Sequence, residues 1–218
     1  MLEQLSALFP PAASVCIAGS DLALDAWPEE EKLLAHAVAK RRNEFAAGRA
    51  AAHAALAKLG APSTAILINA DRTPAWPENF VGSITHCDGF CAAVVAHRHE
   101  IESIGFDAEK AVALPEGTDR MIYGPEEASA FSALPVIAGV DWPKLTFSAK
   151  EAFYKCFFPV TRARLGFREV AVRFDANGSF AIDALTSDAA AVFLRRPVRG
   201  RWQKGDGLVF TSFVLMPG

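Results

Sequence analysis

The chain has 218 residues, enough for one large domain or two small ones, and 51 % of them are hydrophobic, so a sizeable core is available. Its formal charge of −3 argues against general nucleic-acid binding, which needs a basic surface, but leaves room for a local basic site for a small anion. No run of about 18 apolar residues suggests a membrane span, and the N-terminus lacks the basic and apolar regions of a secretory signal.

In chain order, residues 2–9 are expected to form a short helix stopped by Pro10-Pro11, and residues 13–18 a strand. Trp27-Pro28 before Glu29-Glu30-Glu31 marks a helix start, with proline early and acids in the first turn. Alanine, lysine and arginine dominate from Glu30 to Leu59, which predicts one or two helices ended by Gly60 and Pro62. Residues 65–69 read as a strand and Asp71 to Pro77 as a loop. Three strands follow, over 80–86, 90–97 and 101–109, and the short polar link His97-Arg98-His99-Glu100 reads as a hairpin turn. Gly124-Pro125 opens another helix, and Pro143 and Ser148 precede a further one running to about Phe158. Residues 168–174 and 179–184 alternate across Asn177-Gly178, a strong hairpin signal. Residues 190–196 and 207–215 read as closing strands. The order predicts an α+β fold of two tightly packed halves, residues 1–102 and 103–218.

Two segments carry the chemistry. Asp107 and Glu109 end the strand-like run Ser103-Ile104-Gly105-Phe106-Asp107-Ala108-Glu109, and residues two apart on a strand share a face. Gly105, without a side chain, permits close backbone approach. Glu151 and Lys155, four apart in Phe147-Ser148-Ala149-Lys150-Glu151-Ala152-Phe153-Tyr154-Lys155, share a helix face. Three carboxylates and one ammonium can thus converge in a way that suits a magnesium ion on a phosphate substrate. On spacing alone plainer readings stand: Ser148 and Glu151 fit a capping box, and Lys155 a surface pair with Glu151.

Other candidates also have plainer readings. His86 ends the strand Gly82-Ser83-Ile84-Thr85-His86, as a hydrogen-bonded structural residue or a phosphate contact. Lys40, Arg41, Arg42 and Arg49 form either a solvated basic face or an anion site, since arginine forks match phosphate oxygens. Arg72, in its proline-rich loop, is placed to join them. His97 and His99 have no further zinc ligands at plausible spacing and read as exposed. The four cysteines, Cys16, Cys87, Cys91 and Cys156, form no C-x-x-C pair and read as reduced thiols of a cytoplasmic protein. No P-loop, no G-x-G-x-x-G and no G-x-S-x-G is present.

Taken in order, Arg42…Phe45…Arg49, Arg72-Thr73-Pro74-Ala75-Trp76-Pro77, Gly82-Ser83-Ile84-Thr85-His86-Cys87, Ile104-Gly105-Phe106-Asp107-Ala108-Glu109 and Phe147-Ser148-Ala149-Lys150-Glu151…Lys155 resemble the Sfp-type 4′-phosphopantetheinyl transferases, especially the branch serving siderophore synthetases such as enterobactin synthase. The resemblance implies two similar α+β halves related by a pseudo-two-fold axis, with coenzyme A in the cleft between them. It implies Mg²⁺ (Mn²⁺ is not excluded) on Asp107, Glu109 and Glu151. Glu151, Lys155 and His86 would form the catalytic set. Arg41 or Arg42, with Arg49 and more weakly Arg72, would bind the 3′-phosphate and adenine end, and Thr85, His86 and Lys155 would lie at the phosphates. Ala108 stands where a larger aliphatic or a polar residue is usual, so water should complete the metal shell. Phe106 replaces the more usual Ile or Val.

The implied reaction transfers the phosphopantetheine arm of coenzyme A to a serine of an apo acyl- or peptidyl-carrier protein, by a cytoplasmic monomer. The carrier is expected to meet residues 111–135, where Val112, Leu114, Met121, Ile122 and Phe131 mix with Arg120. A magnesium-dependent nucleotide pyrophosphatase and a non-catalytic coenzyme A or carrier-binding module are the alternatives. Dependence of coenzyme A consumption on a carrier separates the first. The presence of Glu151 and Lys155 argues against the second.

Overall fold

The computed structural model describes residues 1–19, 27–34, 37–175 and 177–218. It begins with α1 (Leu2–Ser6), β1 (Ser14–Ile17), α2 (Pro28–Lys32), α3 (Ala39–Lys58), β2 (Phe80–Cys87) and β3 (Phe90–His97). It continues with β4 (Ser103–Lys110), α4 (Asp119–Ile122), α5 (Pro125–Phe131) and α6 (Trp142–Thr161). After a short 3₁₀ turn come β5 (Val170–Phe174), β6 (Ser179–Ala184), α7 (Asp188–Phe193), β7 (Val198–Gly205) and β8 (Leu208–Leu215). Two antiparallel sheets result, ordered β1-β3-β2 and β4-β8-β7-β6-β5.

The strand order contains a repeat that the residues do not. A strand, a 20-residue helix and a hairpin recur as β1-α3-β2-β3 and β4-α6-β7-β8, and in each the last strand pairs between the other two. The hairpin β5-β6 and α7 are added to the second unit. In the first unit, α3 lays Ala51, Ala52 and Ala55 on Ala93 and Val95 of β3. Small residues here let the helix sit close to its sheet.

The second unit achieves closeness differently. Ser103, Gly105, Asp107 and Glu109 face α6, while Ile104, Phe106 and Ala108 enter the core shared with α1 and the first sheet. A Cβ at Gly105 would lie 1.7 Å from the carbonyl oxygen of Ala152, so backbone meets backbone there. Phe106, fully buried, packs edge-on against Phe9 at 5.3 Å and does no more than fill space.

The two sheets are joined by hydroxyls. β4 is an edge strand, and its outward amides need partners. Ser83 Oγ of β2 accepts from Phe106 N at 3.1 Å, and Thr85 Oγ1 accepts from Ala108 N at 2.9 Å. This explains two polar residues buried in an apolar strand.

Four expectations are corrected. Residues 65–69 form no strand: Leu67 and Ile68 are exposed, and a single bridge, Ile68 to Pro74, closes a tight loop. The link His97–Glu100 is not a hairpin, because β3 and β4 belong to different sheets; the hairpin in this region joins β2 to β3. Residues 188–193 are helical, since the Ser187 side chain caps Ala190 N and the alanines that follow favour helix. The strand in this region is instead β7, which carries Arg199 and Arg201. Lastly, α6 starts at Trp142, with Asp141 accepting from Lys144 N at 2.8 Å and Pro143 in the first turn. Ser148 and Glu151 therefore stand inside the helix and form no capping box.

The residues of α6 explain its burial. Lys150 is 2 % exposed, and its Nζ donates to Ile122 O, Phe167 O and Glu127 Oε2 at 2.8–2.9 Å. Glu127 Oε1 in turn accepts from Val172 N at 2.9 Å. One ion pair thus fastens α4, α5 and β5 to α6.

The Gly105 contact makes a direct test possible. Overpacking usually costs about 1–3 kcal/mol, and a clash with backbone has little room to relax. Gly105→Ala should lower the urea stability by at least about 3 kcal/mol. An unchanged unfolding midpoint would show that α6 does not sit against β4 in this way.

Candidate active site

Asp107 is the centre of the site. It is 5 % exposed, yet it is well partnered. Its Oδ1 accepts from Lys155 Nζ at 2.7 Å and, weakly, from Thr85 Oγ1 at 3.5 Å; its Oδ2 accepts from Ser148 Oγ at 2.8 Å. Lys155 also donates to Phe106 O at 3.1 Å. The lysine therefore pairs with the strand acid and not with Glu151, because the close approach at Gly105 brings Asp107 within its reach. Glu109, the next acid on that face, accepts from Lys144 Nζ at 3.2 Å.

Glu151 has no hydrogen-bond partner that shifts its titration. Burial chiefly raises its pKa; Lys155 pulls it down, while Asp107 and Glu109 push it up. Glu151 lies beside a small pocket of about 270 Å³ with Lys150, Tyr154, Leu165, Gly166, Phe167 and Val170.

That pocket shares Tyr154, Leu165 and Gly166 with a cleft of about 1240 Å³, larger than the few hundred to about 1,000 Å³ of ordinary ligand sites. The cleft runs between α3, β2, the loop 68–76 and the C-terminal end of α6. Its lining includes Arg41, Arg49, Arg72, Arg98, Arg162, Arg164 and Lys155 against Glu44, Asp71, Glu102 and Glu169. An excess of cations lines a cleft in a chain of net charge −3.

Arg49 is 5 % exposed, lies over the Phe45 ring at 4.4 Å, and donates only a long bond to Leu67 O. Its Nε has no partner, and burial lowers its pKa. A buried guanidinium with an unpaired donor has the chemistry to receive an anion. His86 stands 3.4 Å from both Glu44 Oε2 and Arg41 Nη1. Burial is the main cause of its lowered pKa, with Glu44 opposing and Arg41 reinforcing.

Not every expected residue reaches the cleft. Arg42 is exposed and donates to Ala37 O at 2.8 Å, so of the two neighbouring arginines only Arg41 lines it. Thr85 is 1 % exposed in the seam between the sheets and lines neither this cleft nor the small pocket beside it. Arg72 does line it, in the left-handed region at φ 69°. Sequence reasoning missed Arg162 and Arg164, beyond the end of α6. Arg162 turns the chain at φ 57° and pairs with Asp71 of the facing loop. A charged pair of residues just past a helix end was the only available signal.

Among the described residues, no three His, Cys, Asp or Glu side chains stand close enough together to hold an ion as they are. The chemistry of the acids nevertheless fits one. All three offer hard carboxylate oxygens, Asp107 and Glu109 each attract an ammonium, and Glu151 is destabilised by both. The cysteines compete for neither role: all four are free, and burial raises Cys87 and Cys91 to about 11 and Cys156 to about 12. Among the described residues no helix is long and apolar enough to cross a membrane.

Comparison with known proteins points the same way. The profile of the 4′-phosphopantetheinyl transferase N-terminal domain matches residues 29–96, and that of the 4′-phosphopantetheinyl transferase superfamily matches residues 103–208. The chain is 40 % identical to the 4′-phosphopantetheinyl transferase PptT of Mycobacterium tuberculosis, over 86 % of this chain and 85 % of that protein. It is 39 % identical to the 4′-phosphopantetheinyl transferase Npt of Nocardia iowensis, over 87 % and 89 %. It is 32 % identical to enterobactin synthase component D of Salmonella typhimurium, over 85 % and 76 %.

The environment of Glu151 has a measurable consequence. Its folded-state pKa lies above the ordinary 4.5, so folding takes up a proton in the window between the two values. Stability is therefore lost as the pH rises through that window. Glu151→Gln should melt above wild type at neutral pH, and the gap should close as the pH falls below 4.5. A variant that melts below wild type at neutral pH would contradict this.

Proposed function

The chain belongs to the 4′-phosphopantetheinyl transferase superfamily, and from that premise we propose that it transfers the phosphopantetheine arm of coenzyme A to a serine of an acyl- or peptidyl-carrier protein. The observation that carries this reading is Lys155, which lines the arginine-rich cleft while paired with Asp107, with Glu151 in the small pocket that shares Tyr154, Leu165 and Gly166 with that cleft.

In the reaction, Arg41, His86 and Lys155 bind the diphosphate of coenzyme A. Arg49, whose buried donor lacks a partner, takes the 3′-phosphate, with Arg72 nearby. Asp107, Glu109 and Glu151 would hold Mg²⁺ or Mn²⁺, which when bound neutralises diphosphate charge and so favours attack. Glu151 accepts the proton of the carrier serine; burial raises its pKa, the direction that makes a carboxylate a stronger base. The serine oxygen bonds to the β-phosphorus as the bond from that phosphorus to the bridging oxygen breaks, and adenosine 3′,5′-bisphosphate leaves. Lys155 is placed to offset charge on the departing oxygen. The first half of the chain, to residue 102, thus serves the nucleotide and the second the chemistry. We place the reaction in the cytoplasm, in a monomer acting on carriers of non-ribosomal peptide, polyketide or siderophore synthesis.

Intact-mass analysis of apo-carriers with coenzyme A and Mg²⁺ tests this. The carrier should gain one phosphopantetheine, excess chelator should abolish the gain, and Glu151→Gln should slow it at least ~100-fold, as expected for loss of a general base. Coenzyme A breakdown without any carrier would instead indicate a pyrophosphatase.

The carrier surface is proposed on α4 and the preceding loop, with one change of residues. Val112 and Met121 are 59 % and 64 % exposed, whereas Ile122 is 5 % exposed and faces inward. Val112→Asp with Met121→Asp should raise the KM for the carrier at least about tenfold, ~1.4 kcal/mol, and leave coenzyme A affinity unchanged. An unchanged carrier KM would move the interface elsewhere.

A further inference from the structure

Thr211 lies in no motif of the chain, yet it stands directly beside Asp107. The two are register partners on β8 and β4, and Thr211 is fully buried under α6. Ser148 of α6 descends between them: its Oγ is 2.8 Å from Asp107 Oδ2 and 2.8 Å from Thr211 Oγ1. Thr211 Oγ1 is also 2.9 Å from Ser148 O.

Three contacts share two hydroxyl protons. The carboxylate is the strongest acceptor, so the Ser148 proton goes to Asp107. The Thr211 proton is then left for Ser148, either its Oγ or its carbonyl oxygen. Donated to Oγ, it sets the order Thr211 to Ser148 to Asp107, in which each donation strengthens the next; donated to the carbonyl, it pins the backbone that carries Ser148. Without Thr211, only the serine's own bond to Asp107 holds its rotor in this direction, and a helical serine has an alternative acceptor in the carbonyl four residues earlier.

We propose that Thr211 is a positioning residue for the metal-binding carboxylate, acting through Ser148. It fixes the Oδ2 side of Asp107, while Lys155 and Thr85 hold the Oδ1 side. The inference rests on the reading of Asp107 as a metal ligand. Partners of this kind are typically worth 10–100-fold in metal affinity.

The test is equilibrium Mn²⁺ binding, read from the electron paramagnetic resonance signal of free Mn²⁺, on four full-length variants. Thr211→Val keeps the shape and loses the donor; it should bind Mn²⁺ about tenfold more weakly than wild type. Thr211→Ser keeps the hydroxyl and should bind like wild type. A purely structural threonine would shift the melting temperature in both variants without this split. Ser148→Ala removes the middle of the relay and should match Thr211→Val, which keeps the inference testable should the valine variant fail to fold. Asp107→Ala separates the two levels. If it loses Mn²⁺ while Thr211→Val and Ser148→Ala bind like wild type, the role of Thr211 is overturned and the ligand reading stands. If Asp107→Ala itself binds like wild type, the ligand reading fails and takes the inference with it.

Discussion

The approach of α6 to β4 at Gly105 is the constraint on which the site depends. Two strand residues advance about 6.6 Å and four helix residues about 6 Å, so a strand face and a helix face can stay in step over several contacts. Here they do: Ser103 meets Cys156, Gly105 meets Ala152, Asp107 meets Ser148 and Glu109 meets Lys144. Each strand position two further on meets the helix residue four earlier. The absent side chain at Gly105 sets the separation, and the other three pairs form because of it. A wider gap would leave Asp107 out of reach of Ser148 and strand a carboxylate in the interior.

The cost of this arrangement is electrostatic. Three acids lie close enough for Asp107 and Glu109 to disturb the ionisation of Glu151, and burial compounds the effect. Buried charges rarely repay their desolvation, so a cluster of this kind is poor structural economy. It becomes sensible if a cation and a polyanion complete it. The lysines differ accordingly. Lys150 is satisfied within the fold by Glu127 and two carbonyls, while Lys155 reaches the cleft with almost a third of its side chain exposed. Two lysines five residues apart in one motif thus differ: one is satisfied within the fold, and the other is open to the cleft.

Much of this was legible in the sequence. The D-x-E spacing puts Asp107 and Glu109 on one strand face, toward α6, and Gly105 signals close approach. What sequence could not give was the register between β4 and α6. Without it, Lys155 seemed a partner for Glu151, and Ser148 a helix cap. Thr85, beside His86, reads as a ligand contact, whereas its hydroxyl satisfies an amide of β4. Composition misled at the closing strands: Ala-rich residues after Ser187 are helical, and arginines mask β7. Thr211 was invisible because its meaning lies wholly in a cross-strand neighbour.

Anomalous diffraction from Mn²⁺ in crystals grown with coenzyme A tests the central claim most directly. The expected result is one strong peak beside Asp107, Glu109 and Glu151, with Lys155 turned from Asp107 to the diphosphate. A peak away from these three acids, with the Lys155–Asp107 pair intact beside bound coenzyme A, would contradict it.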